Sequence, residues 1–123
     1  MYIDTHVHCR DEEESEKETI KHVLEVAERA GVDAVFDMPN NKNPIINQER
    51  VLRRLEIADS CNSSVFYGIY VGLTSDPRQI EEAASLYNEF FPRVVGLKLF
   101  AGKSNKSLAV VEKNAQKNIY LEL

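Results

Sequence analysis

Apolar runs with strand character recur along this chain about every thirty residues, and stretches with apolar side chains at helical spacing lie between them. Strand-like segments begin near residues 2, 34, 65, 94 and 118. A strand–helix unit repeated about four and a half times, with no linker or low-complexity segment, calls for parallel strands with helices packed outside them. Parallel neighbours need a crossover, and a helix is the usual one. With 123 residues, the chain is expected to form one domain over residues 1–123. Two α/β architectures fit. One is an open doubly wound parallel sheet of five strands, which ~120 residues complete. The other is the N-terminal half of an eightfold βα barrel, a TIM-type fold that normally needs ~250 residues.

The units read as follows. Residues 2–8 form a strand, with Ile3 and Val7 on one face and Asp4, His6 and His8 on the other. Ser15 and Glu18 make a capping box, followed by a helix through Ile20, Val23, Leu24, Ala27 and Ala30 that Gly31 ends. Residues 34–38 form a strand broken by Pro39. Asn47 caps a helix carrying Val51, Leu52, Leu55 and Ala58. A strand over 65–71 precedes a helix started by Asp76-Pro77, with Ile80, Ala83, Ala84 and Tyr87 as its apolar stripe. A fourth strand spans 94–100. Leu108, Val111 and Ala115 mark a weaker fourth helix, and residues 118–123 a fifth strand.

Composition narrows the partners. The net charge of −5 argues against nucleic acid, whose phosphates require a basic face. No apolar run approaches the ~18 residues of a membrane span, and the N-terminus lacks the pattern of a signal peptide. A cytoplasmic location is the expectation. Cys9 and Cys61 are far apart and form no CxxC pair, so two free thiols are expected.

The chemistry concentrates at strand ends. Imidazoles at i and i+2 on a strand lie on one side, close enough to share a metal ion. A βα barrel builds its site at the C-terminal ends of its strands, where His6 and His8 fall. Asp4-Thr5-His6-Val7-His8-Cys9-Arg10-Asp11 resembles the opening signature of dihydroorotases within the amidohydrolase superfamily. Asp37-Met38-Pro39-Asn40 is similar to that family's second motif, and Gly96-Leu97-Lys98-Leu99-Phe100 to its lysine strand. The three occur in the family's order, each at a strand end.

The resemblance implies a metal-dependent hydrolase of cyclic amides that interconverts carbamoyl aspartate and dihydroorotate in pyrimidine biosynthesis. It implies that His6 and His8 hold the more buried of two divalent metals, usually zinc. It also implies that Lys98 is carboxylated on its amine and bridges the two ions: an ammonium cannot ligate a cation, whereas a carbamate offers two anionic oxygens. Arg10 and Asn40 would bind the substrate carboxylate, the guanidinium as a two-pronged donor. That carboxylate distinguishes dihydroorotate from plain hydantoins and dihydropyrimidines.

Other features depart from the family's pattern. It calls for two more histidines, from the fifth and sixth strands, and a general-base aspartate from the eighth, so no catalytic acid or base is assignable. The remaining histidine, His22, is expected in solvent on the first helix. Glu12-Glu13-Glu14 follows Asp11 where the family often has Pro-Gly, and reads as a solvated loop and helix start. Half a barrel also leaves strand edges open, which implies self-association or a missing C-terminal half. Two alternatives stand beside the enzyme: a non-catalytic half-barrel scaffold or partner subunit, and a related cyclic amidohydrolase such as allantoinase.

Overall fold

The computed structural model describes residues 1–103 and 108–123. Four strands, β1 (Ile3–Val7), β2 (Ala34–Asp37), β3 (Phe66–Gly72) and β4 (Val94–Lys98), alternate with helices α1 (Ile20–Ala30), α2 (Gln48–Ser60), α3 (Pro77–Phe90) and α4 (Lys113–Glu122). A short 3₁₀ turn, Glu12–Glu14, follows β1. The sheet is parallel throughout, in the order β1-β2-β3-β4. This is the expected α/β architecture. The order has no reversal of winding of the kind that creates the switch point of a doubly wound sheet, and so follows the course of a βα barrel.

The core lies between sheet and helices. Val35, Tyr67, Ile69, Val71 and Val94 are buried in one cluster with Leu24 of α1, Leu55 of α2 and Ile80, Ala83 and Leu86 of α3. Burying each large aliphatic side chain contributes roughly 1.5–3 kcal/mol. The opposite face of the sheet carries Phe36, Phe66, Tyr70 and Val95, all half-buried. Among the described residues, no helix is long and apolar enough to cross a membrane.

Local signals set most helix boundaries. Asn47 accepts a hydrogen bond from the Arg50 N–H at 3.0 Å, Asp76 accepts from the Arg78 N–H at 3.0 Å, and Gly31 closes α1 at φ 74°. Two expectations fail. Ser15 does not cap α1; it is exposed and closes the 3₁₀ turn. The cap is Thr19, which accepts from the His22 N–H at 3.1 Å, while the Asp11 carboxylate takes the Ile20 N–H at 2.8 Å.

The fifth strand is the second failure, because residues 118–123 fall in and just after α4. Ala115 and Ile119, one helical turn apart, both pack against the core. Leu108 and Val111, expected on the fourth helix, precede it, and of the three only Ala115 lies on α4. Leu108 and Val110 belong to no helix. They are buried beside the end of β4, where the Val110 N–H donates to the Phe100 carbonyl at 2.9 Å.

Candidate functional site

The end of β1 and the loops that follow β1 and β2 carry four of the five site residues expected from sequence, His6 on the strand and His8, Arg10 and Asn40 on the loops. On β1, Val7 packs against the core and Cys9 is buried within it. Alternation therefore sends His6 and His8 to the face away from the helices. Their rings meet edge-on, with centroids 5.2 Å apart. The alternation is not continuous, however. The β1–β2 register shifts between Asp4 and Val7, and the Asp4 carboxylate turns back to accept the His6 N–H at 3.0 Å. Asp4 therefore does not continue the row formed by the two histidines.

His8 is the more enclosed of the pair. Its Nδ1 is buried, as is Oδ1 of the neighbouring Asn40, whose side chain acts on the imidazole as a hydrogen-bond partner. Burial lowers the His8 pKa, and the Arg10 guanidinium and His6 lower it further against the opposing influence of Asn40 and Asp37. The imidazole is thus held neutral, the form that can ligate a metal. Arg10 donates from Nη1 to the Asn40 carbonyl at 3.1 Å and lies 3.9 Å from the Glu14 carboxylate. His6, His8, Arg10 and Asn40 form one cluster.

Lys98 sits on β4, at the other end of the strand order from β1. It ends β4 opposite Gly72, and its ammonium stands 5.5 Å from the Phe100 ring centroid. Leu97 and Leu99 pack against the core, so Lys98 faces the same side of the sheet as the histidines. β1 and β4 are the two outer strands of the sheet among the described residues. Tyr70 lies between them: its hydroxyl donates to the Thr5 carbonyl at 3.3 Å, and its ring packs edge-on against Phe36.

A buried polar group beneath the cluster was not read from sequence. Arg54 and Asp37 are both fully buried and paired at 2.6 Å. The Tyr67 hydroxyl donates to the same Asp37 oxygen at 2.6 Å, and the Cys9 N–H donates to the other at 2.9 Å. Burial works against the Arg54 charge, but Tyr67 and Asp37 outweigh it and raise its pKa. Burial, reinforced by Asp37, also pushes the Cys9 thiol and the Tyr67 phenol up. Neither cysteine forms a disulfide. A signal for Arg54 did exist, since it shares the apolar stripe of α2 with Val51, Leu55 and Ala58.

The acidic run also differs from expectation. Glu14 is buried, accepting the Lys42 N–H at 2.8 Å and the Lys17 ammonium at 3.2 Å. Glu12 pairs with Arg50 and lies 3.6 Å from Arg53 and 3.8 Å from Arg54. The segment is an ion-paired brace between the β1–α1 loop and α2. His22 is exposed as expected, against Glu18 at 2.7 Å.

A parallel βα sheet with histidines, an arginine and an asparagine gathered at its strand ends has the general form of the sites that βα barrels build there. Comparison with known proteins gives a more particular likeness, to archaeal dihydroorotases. The chain is 49% identical over 57 residues to the curated dihydroorotase of Thermococcus kodakarensis, which covers 46% of this chain and 14% of that protein. It is 35% identical over 79 residues to that of Sulfurisphaera tokodaii, 64% of this chain and 20% of the relative. It is 32% identical over 93 residues to that of Pyrobaculum aerophilum, 76% of this chain and 24% of the relative. No family model matches the chain. The sequence is dihydroorotase-like, and the matches span a quarter or less of each relative's own length.

Proposed function

We propose that this chain carries part of the site of a metal-dependent cyclic-amide hydrolase, most closely a dihydroorotase that interconverts carbamoyl aspartate and dihydroorotate in pyrimidine biosynthesis in the cytoplasm. In this reading, His6 and His8 are metal ligands, Arg10 and Asn40 bind the substrate carboxylate, and Lys98 is carboxylated to bridge two divalent ions. The observation that carries the reading is the cluster at the ends of β1 and β2: neighbouring imidazoles, one of them partly buried against Asn40, beside Arg10.

The donors fit part of a metal centre. Two adjacent imidazoles, one held neutral, suit zinc. Among the described residues, however, no three His, Cys, Asp or Glu side chains come together to hold an ion. The Lys98 carbamate and donors from outside this chain, from a second copy or from a C-terminal half, would complete the set. Zinc held there would polarise the ring carbonyl and lower the pKa of water. Arg10 spends one nitrogen on the Asn40 carbonyl, and its other N–H groups remain to hold the substrate carboxylate. Asn40 adds a donor and an acceptor beside it. The general-base aspartate must come from elsewhere.

Zinc titration by calorimetry tests the metal assignment. Binding by the chain, lost in His6→Gln/His8→Gln, is the expected result. An intact mass carrying one added CO₂ that Lys98→Met abolishes would support the carbamate. The absence of three clustered donors favours a second reading, a non-catalytic scaffold or partner subunit. A chain that binds neither zinc nor carbamoyl aspartate, alone or with a partner half, would establish that reading instead. Allantoin offered as a competing substrate separates allantoinase from dihydroorotase.

A further inference from the structure

We infer that Arg54 is the positioning residue of this site: anchored on Asp37, its guanidinium holds the backbone of Arg10 and thereby aims the Arg10 side chain at Asn40. The inference deepens the reading of Arg10 and Asn40 as ligand-binding residues and rests on it. Arg10, Asp11 and Glu12 lie in succession at φ 48°, 72° and 51°, the left-handed region that side-chain-bearing residues disfavour. Asp11, at ψ −178°, occupies a conformation found almost only in glycine. Such a stretch persists only where its surroundings over-determine it.

The surroundings are all identifiable. Arg54 Nη1 donates to the Arg10 carbonyl, and Asn41 Nδ2 donates to the same oxygen at 2.9 Å. The Asp11 carboxylate takes the N–H groups of Glu12 at 2.7 Å and Ile20 at 2.8 Å, and Glu12 is pinned by Arg50. The hold on Arg10 itself is shared by Asn41 and the buried pair. Asp37 fixes one branch of the Arg54 guanidinium and also takes the Cys9 N–H. One carboxylate thus fastens the residue before Arg10, and the guanidinium it orients fastens Arg10. Stability alone gives no reason for a charged pair here, because apolar side chains of similar volume usually serve as well. The pair directs donors and acceptors to the one loop that carries Arg10, which an apolar pair cannot do.

The side-chain NMR spectrum of the chain tests this, with the Arg10 guanidinium signals assigned by their loss in Arg10→Lys. Arg54→Lys is the direct variant. Asp37→Asn/Arg54→Met removes both charges together and preserves the fold if the single change does not. In either folded variant, the Arg10 signals are expected to move to the solvent position, with proton exchange faster on the order of tenfold or more. Amide signals from β4 and α3 should stay in place. Val94→Ala, which loosens the core on β4, two strands away from Asp37, should leave Arg10 unchanged. Arg10 signals that persist in the folded double variant, or that shift equally in Val94→Ala, overturn the inference.

Titration with carbamoyl aspartate separates this inference from the reading beneath it. If the native chain shows no binding, Arg10 and Asn40 lose their ligand role, while the NMR comparison still decides what Arg54 does. If it binds, Arg54→Lys is expected to weaken it on the order of tenfold to hundredfold. Unchanged affinity counts against a positioning role.

Discussion

Gly68 has an ordinary backbone conformation but no room for a side chain. A Cβ there would lie 2.5 Å from Val95 Cγ1 and 3.1 Å from the Phe36 ring. Valine is stiff about its first side-chain torsion and cannot swing clear. Gly68→Ala should therefore lower the unfolding free energy by about 1–3 kcal/mol in urea titrations, and adding Val95→Ala should recover most of it. Should the single variant prove as stable as the parent, the packing described for that face is wrong. Residue-scale features divide by how local their cause is. His6, His8, Arg10 and Asn40 were legible because spacing on one strand and a short motif after the next bring them together. Asp37 was visible only as part of a motif, and Arg54 as a charge on an apolar stripe. Their pairing links two elements, and a single sequence does not show which carboxylate a buried guanidinium meets.

Helix starts give the clearest tests at the level of elements. Thr19 and Asn47 each satisfy an N–H that would otherwise be unpaired, so Thr19→Ala and Asn47→Ala should each cost about 1 kcal/mol in chemical denaturation. Ser15→Ala should cost under about 0.5 kcal/mol, as expected for an exposed side chain outside these caps. A larger loss at Ser15 than at Thr19 would restore the capping box read from sequence. The brace between the β1–α1 loop and α2 predicts acid sensitivity. Hydrogen bonds from Arg50 bring Glu12 below its ordinary value of 4.5 against the opposing effect of burial, helped by the charges of Arg54 and Arg53. Burial also opposes ionisation of Glu14, but the Lys42 N–H, Lys17 and Arg10 outweigh it, and its pKa is lowered too.

Both carboxyls bind protons more weakly in the folded chain than in the unfolded one. Their stabilisation is therefore complete above the ordinary carboxylate range and lost as pH falls through the folded values. Unfolding free energy should be nearly level about neutrality and decline below about pH 4, with a shallower decline in Arg50→Met. An equal slope in that variant would show that Glu12 does not contribute. The first four strands were readable because β-branched runs and helical stripes alternate clearly there. The last element was not, since Ile119, Leu121 and Leu123 fit a strand's period as well as a helix's. What decides it is the pairing of Ala115 and Ile119 on the core, a tertiary effect.

For the molecule as a whole, the sheet has a finished face and an open one. The helix-covered face holds the core, whereas the other leaves Phe36, Tyr70 and Val95 half-exposed, with β1 and β4 as the outer strands among the described residues. The proposed site is divided across that open face, with the imidazoles at the end of one outer strand and Lys98 on the other. In a closed barrel, further strands would join those two and bring their own donors to the middle. This chain, by itself, should therefore show no measurable hydrolysis of dihydroorotate, nor closure of carbamoyl aspartate, even with zinc in excess. The measurement is a continuous ultraviolet assay across enzyme concentrations, run beside sedimentation of the same samples. Turnover proportional to chain concentration in a monomer would show that four strands suffice for catalysis. Turnover appearing only with a sedimenting dimer would mean that a second copy supplies the missing donors. The expected result is neither, because two imidazoles supply only part of the donor set that the proposed reaction would need.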